Sequence, residues 1–366
     1  MSGLDPQIYR QMLVHGPRTR LQWLLFVLAW LPSQLYAGLV RLRASLYAGG
    51  FFPSFRAAVP VLAVGNLTVG GTGKTPVADL LVKRLHARGV RVAIVSRGYG
   101  GRFRGRVARV DGDGGPPVLS AVECGDEPWL LARRNPQTLV FIARKRRFGL
   151  VAAQQAGAEV IVLDDGFQHL AVQRDLNLLL LDGRAPFGNG RLLPAGPLRE
   201  PRRAVARADL ILLTRSDGHL PAGLVPSVPV LHARHRLADC LLGLDGRTIA
   251  WSDLHGKNGV AFAGIADPEG FFSLLRQQGV ALVDTIPLAD HQRYDAEVLK
   301  RLRQSCENAE FLLTTEKDGA KLVAADLPIV CYQVPLEIDI TDSAPLDAAL
   351  DVLIGRRQHD PAEAAS

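Results

Sequence analysis

The chain has 366 residues, 48% hydrophobic and 22% charged, which excludes wholesale disorder and favours two α/β domains over a single core. Lys and Arg outnumber Asp and Glu by 43 to 36, a net charge of +7 that points to anionic partners: nucleotides, anionic lipid or nucleic acid. Cys124, Cys240, Cys306 and Cys331 show neither CxxC spacing nor a disulfide-dense pattern, so a reducing compartment suits them and no zinc site is expected.

The first apolar segment, Leu21 to Val40, reads LQWLLFVLAWLPSQLYAGLV between Arg18 and Arg20 on one side and Arg41 and Arg43 on the other. It is about as long as a spanning helix must be, yet Gln22, Pro32, Ser33 and Gln34 interrupt it, and basic residues on both flanks give no orientation. Trp23, Trp30 and the arginines suit a helix lying in a membrane interface, with a buried core helix as the alternative. No small-residue cleavage site follows, which argues against a signal peptide.

Next comes an apolar strand, Val59 to Val64, and then GNLTVGGTGKT from Gly65 to Thr75 with a helical pattern behind it. A strand, a glycine-rich turn and a helix start form an anion cradle. Backbone N–H groups across Thr68, Val69, Gly70, Gly71, Thr72 and Gly73 are expected to face phosphates, with Lys74 on the β/γ-phosphates and the Thr75 hydroxyl on Mg²⁺. Thr68 stands where the common pattern has its leading Gly. The sequence therefore predicts a nucleoside triphosphate site.

Further β-type runs at Val90 to Val95, Thr138 to Ile142, Glu159 to Leu163, Leu176 to Leu181 and Asp209 to Leu213 alternate with helical patterns. Such alternation predicts parallel strands joined by crossover helices, with ligands at the strand carboxyl ends. SRGYGGRFRGRVAR, from Ser96 to Arg109, and ARKRRFG, from Ala143 to Gly149, are basic segments leaving such ends. They suit phosphate binding, with a solvated basic face as the alternative. Aromatics are only 6% and no stacking motif accompanies the charge, so nucleic acid is disfavoured as a partner.

EVIVLDDGFQH, from Glu159 to His169, is a buried strand ending in Asp164 and Asp165, the expected metal-side partners of Thr75. GDEPWLLARR places Asp126 at a helix start, where capping is the ordinary role of an acid and the helix dipole weakens it as a base. RLLPAGPLREP, from Arg191 to Pro201, is a stiff loop ending in Arg199 and Glu200. The predicted divisions are an N-terminal helix over 1–50, a P-loop domain over 51–225, a linker with room for two strands over 226–258, a smaller α/β domain over 259–355 and a tail over 356–366.

GNLTVGGTGKTP, SRGYGG, GDEP, DDGFQH, PAGPLRE, the ADH of residues 289–291 and TTEKD at 314–318 occur in one order. That set resembles the tetraacyldisaccharide 4'-kinase family of lipid A biosynthesis, from the N-terminal helix to about Val334. The resemblance implies ATP and Mg²⁺, an acylated glucosamine disaccharide 1-phosphate as acceptor, and the cytoplasmic face of a Gram-negative inner membrane. It implies Asp126 as the base with His291 as its partner, and Tyr99, Arg146, His169, Arg199 and Glu200 on the substrate side. Arg144 and Arg147 compete with Arg146 for that place. The rival class is a membrane-associated regulatory NTPase. Its base-recognition pattern, Asn/Thr-Lys-x-Asp, is not met by TEKD at Thr315 to Asp318, where the Lys falls one place late.

Overall fold

The strand Val61–Asn66 is buried at every position and leads into the glycine-rich turn. Val160–Leu163 and Leu176–Asp182 flank it in parallel, with Val61 opposite Ile161 and Leu62 opposite Leu176. The computed structural model describes residues 6–290 and 292–356. They divide into two units, the first formed by Met1–Arg97, Ala143–Arg234 and Ile340–Ser366, the second by Gly98–Ile142 and His235–Asp339.

In the first unit the strand order is Val230–Leu237, Leu210–Thr214, Leu176–Asp182, Val61–Asn66, Val160–Leu163, Val92–Ser96, all parallel. Both faces of such a sheet are covered, which is why its strands read as continuous apolar runs rather than alternating ones. A core of Leu67, Phe167, Leu179, Leu181, Phe187 and Leu198 lies under the turn-bearing edge.

The N-terminal helix is continuous over Arg20–Ala48, with Pro32 inside it, and Thr19 forms a capping box with Gln22. Its burial is inverted. Gln22, Ser33 and Ala37 are the buried positions, while Leu24, Val27, Leu28, Leu31 and Leu35 are exposed. Ser33 donates to the carbonyl of Leu192 (2.8 Å) and the Tyr36 hydroxyl to that of Arg199 (2.9 Å). This helix is long and apolar enough to cross a membrane by length and composition, and its exposed Leu face does not fit a core helix.

The second unit has a six-stranded sheet ordered Thr248–Ala250, Cys240–Gly243, Cys331–Val334, Phe311–Thr315, Asn258–Ala263, Ala281–Pro287. The last four strands are parallel and the first two antiparallel. Helix Pro268–Gln277 starts with Pro behind the Asp267 cap, and Asp295 caps Ala296–Ser305 through the Val298 N–H (3.0 Å).

Two features differ from the linear divisions expected above. Residues 98–142 group with the second unit although they follow a strand of the first. Residues 226–258, expected as a linker with room for two strands, hold three, Val230–Leu237, Cys240–Gly243 and Thr248–Ala250, and the boundary between the units falls at Arg234/His235. The prolines that suggest a linker precede the first of these strands, where they cost no ladder hydrogen bond.

Candidate functional site

In the first unit the turn after Val61–Asn66 has Gly70 at φ 116° and Gly73 at φ 79°, conformations that favour glycine. No side chain caps the helix Lys74–His86, so its first turn is left for an anion. Lys74 Nζ lies 3.3 Å from Asn66 Oδ1 and 3.5 Å from Asp165 Oδ1. Thr75 is buried at the helix start. Thr68 pairs across an antiparallel bridge with Leu198, and the Val69 N–H donates to Pro197 O (2.8 Å). The Pro194–Glu200 loop thus lies along the entry to the turn.

Asp164 and Asp165 follow the neighbouring strand end. The Ser96 hydroxyl donates to Asp164 Oδ2 (2.9 Å), and one Arg199 nitrogen donates to both Asp165 oxygens (3.0 and 2.9 Å). Asp165 sits at φ 49°, in the left-handed region. Gln168 Nε2 donates to Asn66 O (2.6 Å), which joins the acidic turn to the base of the P-loop. Gly65 is required at that seam, because a Cβ there would lie 2.6 Å from Phe167 Cβ.

Arg146 is buried and donates to the carbonyls of Ala143 and Asp164 (3.1 Å each). Burial pulls it down to about 10, against the pull of Asp164 and Asp165, so it stays cationic. Arg144 and Arg147 are exposed. His169 is half-buried, and burial, reinforced by Arg146, Arg43 and Arg174, pushes its imidazole down to about 4. Glu200 is buried and ion-paired with Arg207, which stacks over Phe167.

These groups fit a triphosphate and Mg²⁺. Thr72 Oγ1 and Arg146 Nε are buried donors without a partner, as a site awaiting an anion requires. Among the described residues no cluster of three or more His, Cys, Asp or Glu could hold a metal alone. Magnesium shared between phosphates, waters, a hydroxyl and one or two carboxylates needs no such cage.

In the second unit, helix Asp126–Arg134 begins at Gly125, whose φ of 96° and close approach to Tyr99 O exclude a side chain. Gly125 holds the cap position, so Asp126 is not the cap; its carboxylate pairs with Lys321 Nζ at 2.8 Å. Both side chains are largely buried, at 13% and 14% exposure, and the contact is an ion pair without hydrogen-bond alignment. Glu127 pairs with Lys317 (2.7 Å) and Arg134 with Glu316. Burial disfavours the Lys317 ammonium, but Glu127 outweighs it and holds the group above the ordinary lysine range. TTEKD therefore works as a charged clamp on the GDEP helix, with Thr315 capping its own short helix through the Asp318 N–H (3.2 Å). Sequence reasoning missed Lys321, which lies just beyond that motif. Tyr99 is 72% exposed. His291 lies outside the described residues.

A family model described as tetraacyldisaccharide-1-P 4'-kinase matches residues 21–355. The tetraacyldisaccharide 4'-kinase of Syntrophotalea carbinolica is 45% identical over 351 residues, covering 96% of this chain and 98% of that protein. That of Geobacter sulfurreducens is 48% identical over 328 residues, covering 88% and 92%. Among solved structures, LpxK from Aquifex aeolicus, an "apo" form in complex with ATP, is similar with a TM-score of 0.75 and 32% identity, covering 88% of this chain and 98% of that one.

Proposed function

The chain belongs to the tetraacyldisaccharide-1-P 4'-kinase family, and from that premise we infer how its residues divide the reaction. The protein is an ATP-dependent lipid kinase: the γ-phosphate of ATP passes to the 4'-hydroxyl of a tetraacyldisaccharide 1-phosphate in lipid A biosynthesis. The observation that carries this is a P-loop with Lys74 and Thr75 at one strand end and Asp164 and Asp165 at the next, in a chain 45% identical to a kinase of that name.

We assign phosphate binding to the backbone of Thr68 to Gly73 and to Lys74, whose ammonium offsets charge on the transferring group. Thr75, Asp164 and Asp165 would hold Mg²⁺, which when bound neutralises charge between the β- and γ-phosphates. Asp126, with His291 as its partner, takes the proton of the 4'-hydroxyl; the O4'–P bond forms, the bond to the β-phosphate oxygen breaks, and ADP leaves. Tyr99, Arg146, His169, Arg199 and Glu200 are proposed to line the acceptor. The half-buried His169 remains neutral at physiological pH and so contributes a hydrogen bond rather than a charge.

The exposed Leu and Trp side chains of Arg20–Ala48 support a helix lying in the cytoplasmic face of the inner membrane, where an acylated acceptor resides. Transfer of labelled phosphate from ATP onto a disaccharide 1-phosphate lipid, followed by thin-layer separation, tests the reading. Asp126→Ala and His291→Ala should each lower kcat strongly, with the double variant little worse than the poorer single. Losses in log kcat that add in full would remove the pair as a unit.

A further inference from the structure

Arg215 follows the strand Leu210–Thr214 and sits at φ 52°, a left-handed conformation that a long side chain adopts only when its surroundings hold it there. Its Nη2 donates to the carbonyl of Gly71 in the glycine-rich turn (2.8 Å), and its Nη1 is ion-paired with Asp182. Asp182 ends the strand lying between the two, so Arg215 reaches across one whole strand to grip the P-loop.

The sheet order gives that grip a meaning. Asp164 and Asp165 follow the strand on one side of Val61–Asn66; Thr214 ends the second strand away on the other side. All these strands are parallel, so their carboxyl ends share the edge where phosphates bind. Thr214–Asp217 reads Thr-Arg-Ser-Asp, the Asn/Thr-Lys-x-Asp arrangement with Arg in place of Lys. TEKD in the second unit fails that spacing, whereas this segment meets it one cation for another.

The segment is built to stay in place. Thr214 Oγ1 donates to Leu181 O (3.4 Å), Ser216 N–H to Ala233 O (3.2 Å), and Ser216 Oγ lies 2.6 Å from His232 Nδ1. Asp217 Oδ1 accepts the His219 N–H (3.0 Å), which holds its carboxyl below the usual carboxylate range. An ionised carboxylate only accepts, so its complement is an N–H donor. A guanidinium held against the glycine turn is a flat cation, a stacking surface for an aromatic ring.

We propose that Thr214–Asp217 is the nucleobase-binding segment of this P-loop unit, with Arg215 forming the floor under a purine and bracing the turn, and Asp217 accepting from the exocyclic amine of the base. The proposal rests on the reading of the P-loop as the site of the phosphoryl donor.

Binding of ATP and of inorganic tripolyphosphate, each with Mg²⁺, to the detergent-solubilised full chain separates base from phosphate. Asp217→Ala should raise the Kd for ATP by about tenfold, the loss of one hydrogen bond to a charged group, while tripolyphosphate stays within about twofold. Arg215→Ala should weaken both ligands, ATP more, and Arg215→Lys should restore tripolyphosphate binding, since one ammonium donor suffices for the Gly71 carbonyl. Equal losses for both ligands in Asp217→Ala, or unchanged ATP binding, would overturn the assignment. A wild-type chain binding neither ligand would instead sink the phosphoryl-donor reading on which it rests.

Discussion

Lys321 Nζ stands 2.8 Å from Asp126 Oδ2, and both side chains are nearly enclosed. The proposed base of the reaction is therefore oriented by a cation contributed from beyond TTEKD. Removing one partner of such a pair leaves a charge uncompensated, whereas a surface pair is worth little. Lys321→Met should lower kcat by about ten- to a hundredfold, the range found when an orienting partner is lost, with the KM for ATP little changed. Lys321→Arg should recover part of the loss. Steady-state kinetics at saturating ATP check this, and a Lys321→Met enzyme with normal kcat would show that Asp126 needs no such partner.

Leu28 and Leu31 lie on the exposed face of the N-terminal helix, away from its polar ties to Leu192 and Arg199. Replacing both with Glu should release the protein from liposomes of anionic lipid without unfolding it, because most of each side chain faces outward. The KM for lipid should rise more than that for ATP. Flotation with vesicles measures the first effect, and retention of the double variant would place the anchor elsewhere.

His169 makes stability depend on acid. Its folded-state value of about 4 lies below the ordinary 6.5 or so of an unfolded chain. As pH falls from about 6.5 towards 4 the unfolded chain takes up a proton that the folded one refuses, so stability declines through that window and levels off below it. His169→Gln should flatten the decline seen in urea titrations at successive pH values. An unchanged slope would assign the decline to other groups.

Gly65→Ala should destabilise the first unit by about 1–3 kcal/mol, since a methyl group there overpacks the seam with Phe167. Denaturant unfolding gives the number. A neutral substitution would mean that the acidic turn moves aside freely.

The P-loop was legible because its signature is local: glycines at strained backbone positions and a helix start follow one another within a dozen residues. The parallel strands were legible for a similar reason, as buried runs need no partner to be recognised. Lys321 carries no such mark, because its partner Asp126 is distant in sequence and only the fold joins them. Arg146 was named from the sequence with Arg144 and Arg147 as competitors, and helical spacing separates the three. Arg146, Gly149, Leu150 and Ala153 recur at helical spacing and are the buried face of Arg146–Gln155, which separates Arg146 from its exposed neighbours Arg144 and Arg147. Within 226–258 the β-type runs left room for two strands, and the break between Cys240–Gly243 and Thr248–Ala250 is a tight turn that the apolar pattern runs across.

The Lys74–Asp165 contact changes how nucleotide entry should be understood. On the proposed assignment of Lys74 to phosphate, its ammonium already faces a carboxylate, so a triphosphate would arrive by exchanging one anion for another rather than by filling a bare positive pocket. The gain in attraction is then only a difference, and Asp165 is left with Arg199 as its named counter-charge. A divalent cation restores the balance that the exchange upsets. On that assignment nucleotide and Mg²⁺ affinities are tied thermodynamically, each raising the other by the same factor.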